Sequence, residues 1–234
     1  MAQTLKFGNK TWATKVGSTL AYNDENGNYK PLPFAFTRST SATRVNKQGL
    51  IEVVTNDRPR IDYTDTSDGV LLLEKAATNN ILYSQKISLT PTKNGTFVDN
   101  FAISPDGTQN STKLTATTAD PYFYQNVTFA AGDYTASLYV KGIGDSIGKD
   151  FRFAIGGNTD TVNKNKITSE WTRFSYTATM NAGTQSTGLE ITDPAVVGDE
   201  ILVWGWQVEN NSVASSYIPT QGSASTRVAE TANG

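Results

Sequence analysis

Tyr122-Phe123-Tyr124-Gln125-Asn126-Val127-Thr128-Phe129 and Asp133-Tyr134-Thr135-Ala136-Ser137-Leu138-Tyr139-Val140 are the runs that decide the fold class. Side chains alternate along both at period 2, the period of a pleated strand with two unlike faces. Tyr122 and Tyr124 share one face and Phe123 takes the other. Ala131-Gly132-Asp133 supplies the turn between the runs. Both runs read as strands, separated by that turn.

Similar segments lie on both sides. Strands are expected at 95–99, 111–116, 151–155, 172–180, 188–191 and 201–208, besides 122–129 and 133–140. Turn signals separate them at Pro105-Asp106-Gly107, Gly156-Gly157-Asn158, Asn181-Ala182-Gly183 and Gly198-Asp199. That spacing, from about residue 89 to 220, predicts an antiparallel β-sandwich of the jelly-roll kind. Period 3.6 is nearly absent. Glu74-Lys75-Ala76-Ala77-Thr78-Asn79-Asn80 supports one helical turn, stopped by its Asn pair.

Residues 1–88 read as a hairpin-rich extended arm. Short strands flank Gly17, an Asn-Gly turn occupies 23–28, and Pro31 and Pro33 stiffen the link that follows. Residues 44–53 read as strand, turn, strand, and Val70-Leu71-Leu72-Leu73 is the most apolar run of this half. Residues 221–234 are small and polar and read as a linker or the start of a further module. Their Ser225-Thr226-Arg227-Val228 echoes Ala42-Thr43-Arg44-Val45. The chain is therefore all-β.

Composition narrows the chemistry. With no Cys and no His, disulfides, thiolate metal sites and a Ser-His-Asp triad are excluded. A net charge of −2 gives no footprint for nucleic acid. A mean hydropathy of −0.39 goes with no apolar run long enough to span a bilayer, and the first residues show no secretory signal.

Several motifs taken in order resemble the virion proteins of tailed bacteriophages: head fibres, head spikes and tail fibres. They are Phe36-Thr37-Arg38-Ser39-Thr40-Ser41-Ala42-Thr43-Arg44-Val45-Asn46, Gly49-Leu50-Ile51-Glu52, Pro59-Arg60-Ile61-Asp62-Tyr63, Leu71-Leu72-Leu73-Glu74 and Leu82-Tyr83-Ser84. Pro105-Asp106-Gly107-Thr108, Trp171-Thr172-Arg173, Trp204-Gly205-Trp206-Gln207-Val208-Glu209 and Ser216-Tyr217-Ile218-Pro219-Thr220 continue the series. The chain departs from the pattern at Lys75, at Asn79-Asn80 and in lacking a Trp after Tyr83-Ser84. The resemblance implies a jelly roll similar to carbohydrate-binding modules. It also implies a place in the virion, anchoring to capsid or tail proteins, and commonly a homotrimer, which would cover the strand edges of the arm.

Candidate site residues follow from ring chemistry and charge. Pyranose C–H faces stack on flat rings while polar groups at the rim take the hydroxyls. Tyr122, Tyr124, Tyr139 and Trp171 are candidate rings, and each can equally be core. Leu202, Trp204, Trp206 and Val208 alternate onto one face, expected to be interior. Gln207 then lies opposite, projecting into a groove or bonded within the sheet. Arg38, Arg44, Arg58 and Arg60 sit among Glu52, Asp57, Asp62 and Asp65, either as a partner-docking surface or as local ion pairs. No pair of acids has the spacing of a glycosidase, so no catalytic residue is assigned. No cofactor is required; a structural calcium ion held with help from Asp99, Asp133 and Glu209 is possible chemistry.

The expected function is a non-enzymatic structural component of a phage virion, a head fibre more than a tail fibre, displaying its sandwich to host-surface glycans. A free glycan-binding adhesion module and a polysaccharide-degrading tailspike are the alternatives.

Overall fold

In the computed structural model the described residues are 12–15, 18–23, 29–31, 35–156, 164–191 and 195–233, the segments before residue 35 as backbone only. Among them there is no α-helix, and the strands are antiparallel. The chain divides into two compact units. One is Met1–Ala77 with Ser215–Ile218 and Thr226–Gly234; the other is Thr78–Ala214 with Pro219–Ser225. The division falls earlier than the boundary at 88 because Ile81 and Ile87 are buried in the core of the second unit. Residues 226–233, expected as a linker, belong to the first unit, where Thr231–Asn233 pairs with Ala35–Thr37.

The second unit holds ten strands: β1 (Thr92–Asn94), β2 (Thr96–Val98), β3 (Thr112–Thr115), β4 (Tyr122–Phe129), β5 (Gly132–Ile143), β6 (Asp150–Ile155), β7 (Lys164–Lys166), β8 (Thr172–Met180), β9 (Gly183–Ile191) and β10 (Glu200–Glu209). Sheet I has the order β1-β4-β9-β6-β7 and sheet II the order β2-β3-β10-β5-β8. Within them, β3-β10-β5-β8 opposes β4-β9-β6-β7, the nested order of a jelly roll. The expected sandwich is present. Its short strands β1 and β7 lie outside the sequence reading.

The two inner faces meet in one apolar core. Phe123, Val127 and Phe129 from β4, Phe151 and Phe153 from β6, and Leu189 and Ile191 from β9 face Leu138, Val140, Ile201, Val203, Trp206 and Val208 of sheet II. Phe123 and Trp206 meet edge to face, their centroids 5.0 Å apart, the geometry that ring quadrupoles favour.

One expectation fails on β10. Ser137 is opposite Gln207 but Tyr139 is opposite Trp204, so Gly205 and Trp206 together face Leu138. This is a β-bulge whose first residue, Gly205, has φ +70°, a conformation glycine adopts without penalty. The extra residue reverses the alternation. Ile201 and Val203 point into the core before the bulge, and Trp206 and Val208 after it. Trp204 therefore leaves the core face and packs on Tyr139 at 5.6 Å. The predicted helical turn at 74–80 is also absent. Ala77–Asn79 is a strand, and the Asn79 amide serves the bulged backbone, donating to the Trp206 carbonyl at 3.0 Å and accepting from the Val208 N–H at 3.1 Å.

The first unit is built from small hairpins. Trp12–Lys15, Ser18–Asn23 and Tyr29–Pro31 form one antiparallel sheet, consistent with strands about Gly17; the turn residues 24–28 lie outside the described residues. Ala42–Val45 pairs with Ile51–Val54, and Arg60–Asp62 with Val70–Leu72. A buried charge network ties these pieces to the C-terminal segments. Glu230 Oε1 accepts from Arg38 Nη1 and Arg60 Nε, both at 2.7 Å, and Oε2 accepts from Arg60 Nη2 at 2.5 Å. Glu74 Oε2 lies 2.8 Å from both Arg60 Nη2 and Arg227 Nη1. The Arg38 guanidinium also donates to the carbonyls of Thr40, Val54, Thr55 and Arg58.

This corrects the reading of Arg38 and Arg60 as a docking surface: both are at most 1 % exposed. Arg44 is partly exposed and paired with Glu52 at 2.6 Å. Of the four, only Arg58 is an exposed residue, and its carbonyl serves Arg38.

The network has a pH signature. Burial pushes the Glu74 carboxyl up, but Arg60, Arg227 and Ser216 together pull it further down, below its ordinary value of 4.5. A carboxyl depressed in the folded state contributes stability that is complete above the unfolded value and is lost as pH falls through the folded one. The first unit should therefore melt at progressively lower temperature below about pH 4.5. Calorimetry across pH 3–7 checks this, and Glu74→Gln should flatten the dependence.

Candidate functional site

The outer face of sheet I carries a pattern that pairing alone creates. Across the strands Asn94 is opposite Tyr122, Tyr122 opposite Glu190, Glu190 opposite Arg152, and Arg152 opposite Lys164. Five strands about 4.8 Å apart make this row roughly 19 Å long. The neighbouring row is Thr92, Tyr124, Gly188 and Ala154. Large rings thus stand beside a floor of the two smallest residues.

Tyr122 and Tyr124 are half-buried and stack with centroids 5.7 Å apart and planes 25° from parallel. Phe123 between them is fully buried, which settles which face of β4 is core. Gly188 makes the close approach possible. A Cβ there would overlap the Phe123 carbonyl oxygen and lie 2.7 Å from Tyr124 Cα. Any other residue would push β4 and β9 apart and move the ring.

Polar groups flank the rings. Arg152 donates through Nε at 3.0 Å and Nη2 at 2.5 Å, both to Oε2 of Glu190. Asn94 Nδ2 is held by Thr118 Oγ1 at 2.9 Å and the Asp120 carbonyl at 2.6 Å, which fixes its amide next to Tyr122. Asp150, also on β6, pairs with Lys166 at 2.8 Å. Asn126 and Ser186 extend the polar margin. Flat rings, a small-residue floor and fixed donors and acceptors suit a flat ligand that is apolar on one side and rich in hydroxyls at its edge.

The other candidate residues do not join this face. Tyr139 and Gln207 lie on sheet II, and Trp171 directly precedes its strand β8. Tyr139 is half-buried between Trp204 and the Arg173 guanidinium, 5.6 Å from its ring centroid. Trp171 Nε1 donates to the Ile103 carbonyl at 3.0 Å. Gln207 is fully buried and donates to Glu209 Oε1 at 2.7 Å; its place in a ligand groove is corrected to a bond within the sheet. Asn94, Arg152, Glu190 and Gly188 were missed. Their strands show period 2, but only the register brings them to Tyr122 and Tyr124.

The residues considered for calcium are engaged separately. Asp99 accepts from Thr112 Oγ1 at 2.6 Å and from the Ser88 hydroxyl, Asp133 from Thr179 Oγ1 at 2.6 Å, and Glu209 from Gln207 and Asn211. Among the described residues no group of three or more acidic side chains gathers to hold a metal ion.

No protein-family model and no curated protein sequence matches the chain. Solved structures do. The CBM22-1 xylan-binding domain of Xyn10C from Paenibacillus barcinonensis is 19 % identical, with a TM-score of 0.41 over 58 % of this chain and 94 % of that one. The C-terminal CBM6 of the LamC laminarinase from Zobellia galactanivorans is 14 % identical, TM-score 0.39, over 58 % of this chain and all of that one. Tailspike protein 4 of bacteriophage CBA120 is 12 % identical, TM-score 0.37, over 56 % of this chain and 21 % of its enzymatically active domain.

Proposed function

We propose that the chain is a non-enzymatic adhesion component of a phage virion fibre, on the head rather than the tail, and that the outer face of sheet I contacts host-surface glycans. The observation that carries the glycan reading is the stacked Tyr122–Tyr124 pair beside Gly188, with Glu190, Arg152 and Asn94 along its margin. The order of motifs along the sequence supports the virion setting. Glu190 and Asp150, carboxylates of the described residues on this face, are ion-paired. Glycoside hydrolysis needs one carboxyl held protonated as an acid, so this arrangement favours binding over cleavage.

Affinity electrophoresis of the full chain through gels containing capsule, O-antigen or teichoic polysaccharides tests the proposal. At least one polymer should retard it, with polymer viscosity unchanged after incubation. Falling viscosity would favour the tailspike alternative, and no retardation by any polymer would remove the glycan reading.

A further inference from the structure

The outer face of sheet I differs from one end to the other. Its ring pair stands on β4, and its cations gather across the sheet on β6 and β7. Arg152, Lys164 and Lys166 lie there with the carboxylates of Glu190 and Asp150 among them. Glu190 holds Arg152, and Asp150 holds Lys166. Lys164 is exposed, opposite Arg152 on the last strand, and among the described residues no carboxylate pairs with it. The whole chain carries a net charge of −2, so this end is locally positive against the sign of the molecule. Between the two ends the floor is low. Gly188 and Ala154 follow Tyr124 in its row, one without a side chain and one with a single methyl. Three strand spacings separate Tyr122 from Lys164, about 14 Å, which is further than one sugar ring reaches.

We infer, resting on the glycan reading of this face, that its ligand is an anionic polysaccharide lying across the strands. One sugar packs against the Tyr122–Tyr124 pair and the chain continues over Gly188 and Ala154. An acidic group on a later sugar, a carboxylate or a phosphate, then meets the Lys164 ammonium. The direction follows from the rows. A chain laid along β4 and β9 instead would pass from Tyr124 to Asn126 and Ser186 and reach no cation. The place of the acid follows from Glu190, which stands next to Tyr122. A like charge there disfavours an acid on the stacked sugar itself, so the acidic group belongs further along the chain. An ammonium is a point charge on a flexible stem, so Lys164 takes either acid without demanding a forked geometry.

Titration calorimetry of the full chain tests this with the polymer that retards it in affinity electrophoresis, untreated, carboxyl-reduced and dephosphorylated. One of the two treatments should weaken binding about two- to fivefold, the worth of an exposed ion pair, and it identifies the acid. Added salt should weaken binding of the untreated polymer and spare that of the treated one. Lys164→Gln, at an exposed position, should bind the untreated polymer as weakly as wild type binds the treated one, and Lys164→Glu more weakly still. If Lys164 only guards the sheet edge against other chains, neither substitution changes binding, and the inference falls. Equal affinity for all three forms, or a retarding polymer that carries no acid, also overturns it while the glycan reading stands. Failure of every polymer to bind removes both. Tyr122→Ala/Tyr124→Ala keeps the two apart, because loss of the rings should weaken treated and untreated forms alike.

Discussion

Replacing Glu230 by Ala should cost the first unit about 3–5 kcal/mol, the range for breaking a buried ion pair by removing one partner. The reason is local. Glu230 accepts from Arg38, from two nitrogens of Arg60 and from the Glu74 N–H. Without it, the Arg38, Arg60 and Arg227 guanidiniums are left with Glu74 as the one remaining carboxylate of the network, and water cannot reach Arg38 and Arg60 to compensate. Glu230→Gln keeps one acceptor oxygen, loses the charge and sets an NH2 against the donors of the other oxygen, so it should be destabilising as well. Amide exchange should speed up in Ala42–Val45, Ile51–Val54 and Arg60–Asp62 while β4, β5 and β10 keep their protection. Unchanged exchange in those hairpins would mean that the network does not hold them. Glu230 is followed by four residues in the sequence, so deleting residues 229–234 should reproduce the effect.

Gly188→Ala is the second large effect, and it falls on the sandwich. The added methyl meets backbone, the Phe123 carbonyl and Tyr124 Cα, rather than the flexible end of a side chain. Overpacking a core typically costs about 1–3 kcal/mol and occasionally more; with main chain on the far side, the upper end applies. The β4–β9 pairing must open, which displaces Tyr124 from its ring partner. Urea titration followed by tryptophan fluorescence should show the midpoint falling sharply, because Trp204 and Trp206 lie buried in this unit. Ala154→Gly, a neighbouring floor position without such an approach, should shift it far less. Equal effects would show that the close contact is not what the glycine is for.

How far the sequence is legible can be judged at particular residues. The jelly roll was legible because 122–129 and 133–140 alternate strictly about Ala131-Gly132-Asp133. The faces of β10 were not, because Gly205 inside an alternating run looks like a gap in the sheet. Its φ of +70° instead inserts a residue and turns Trp204 to the opposite side. The arginines were visible as a cluster, but the carboxylate that buries Arg38 and Arg60 comes from residue 230, some 170 or more positions away. Nothing local announces that. Tyr122 and Tyr124 were legible as candidate rings from their shared face. Glu190 and Arg152 join them only because β9 lies between β4 and β6, a neighbourhood set by topology.

The outer face of sheet I is tested most directly by one comparison: affinity electrophoresis of wild type and Tyr122→Ala/Tyr124→Ala in a polysaccharide gel that retards the wild type. Both rings are half-buried on an outer face, so the double variant should keep the wild-type unfolding transition yet migrate as in a gel without polymer. A double variant that is folded and retarded as strongly as wild type would contradict the assignment and move the contact to another surface.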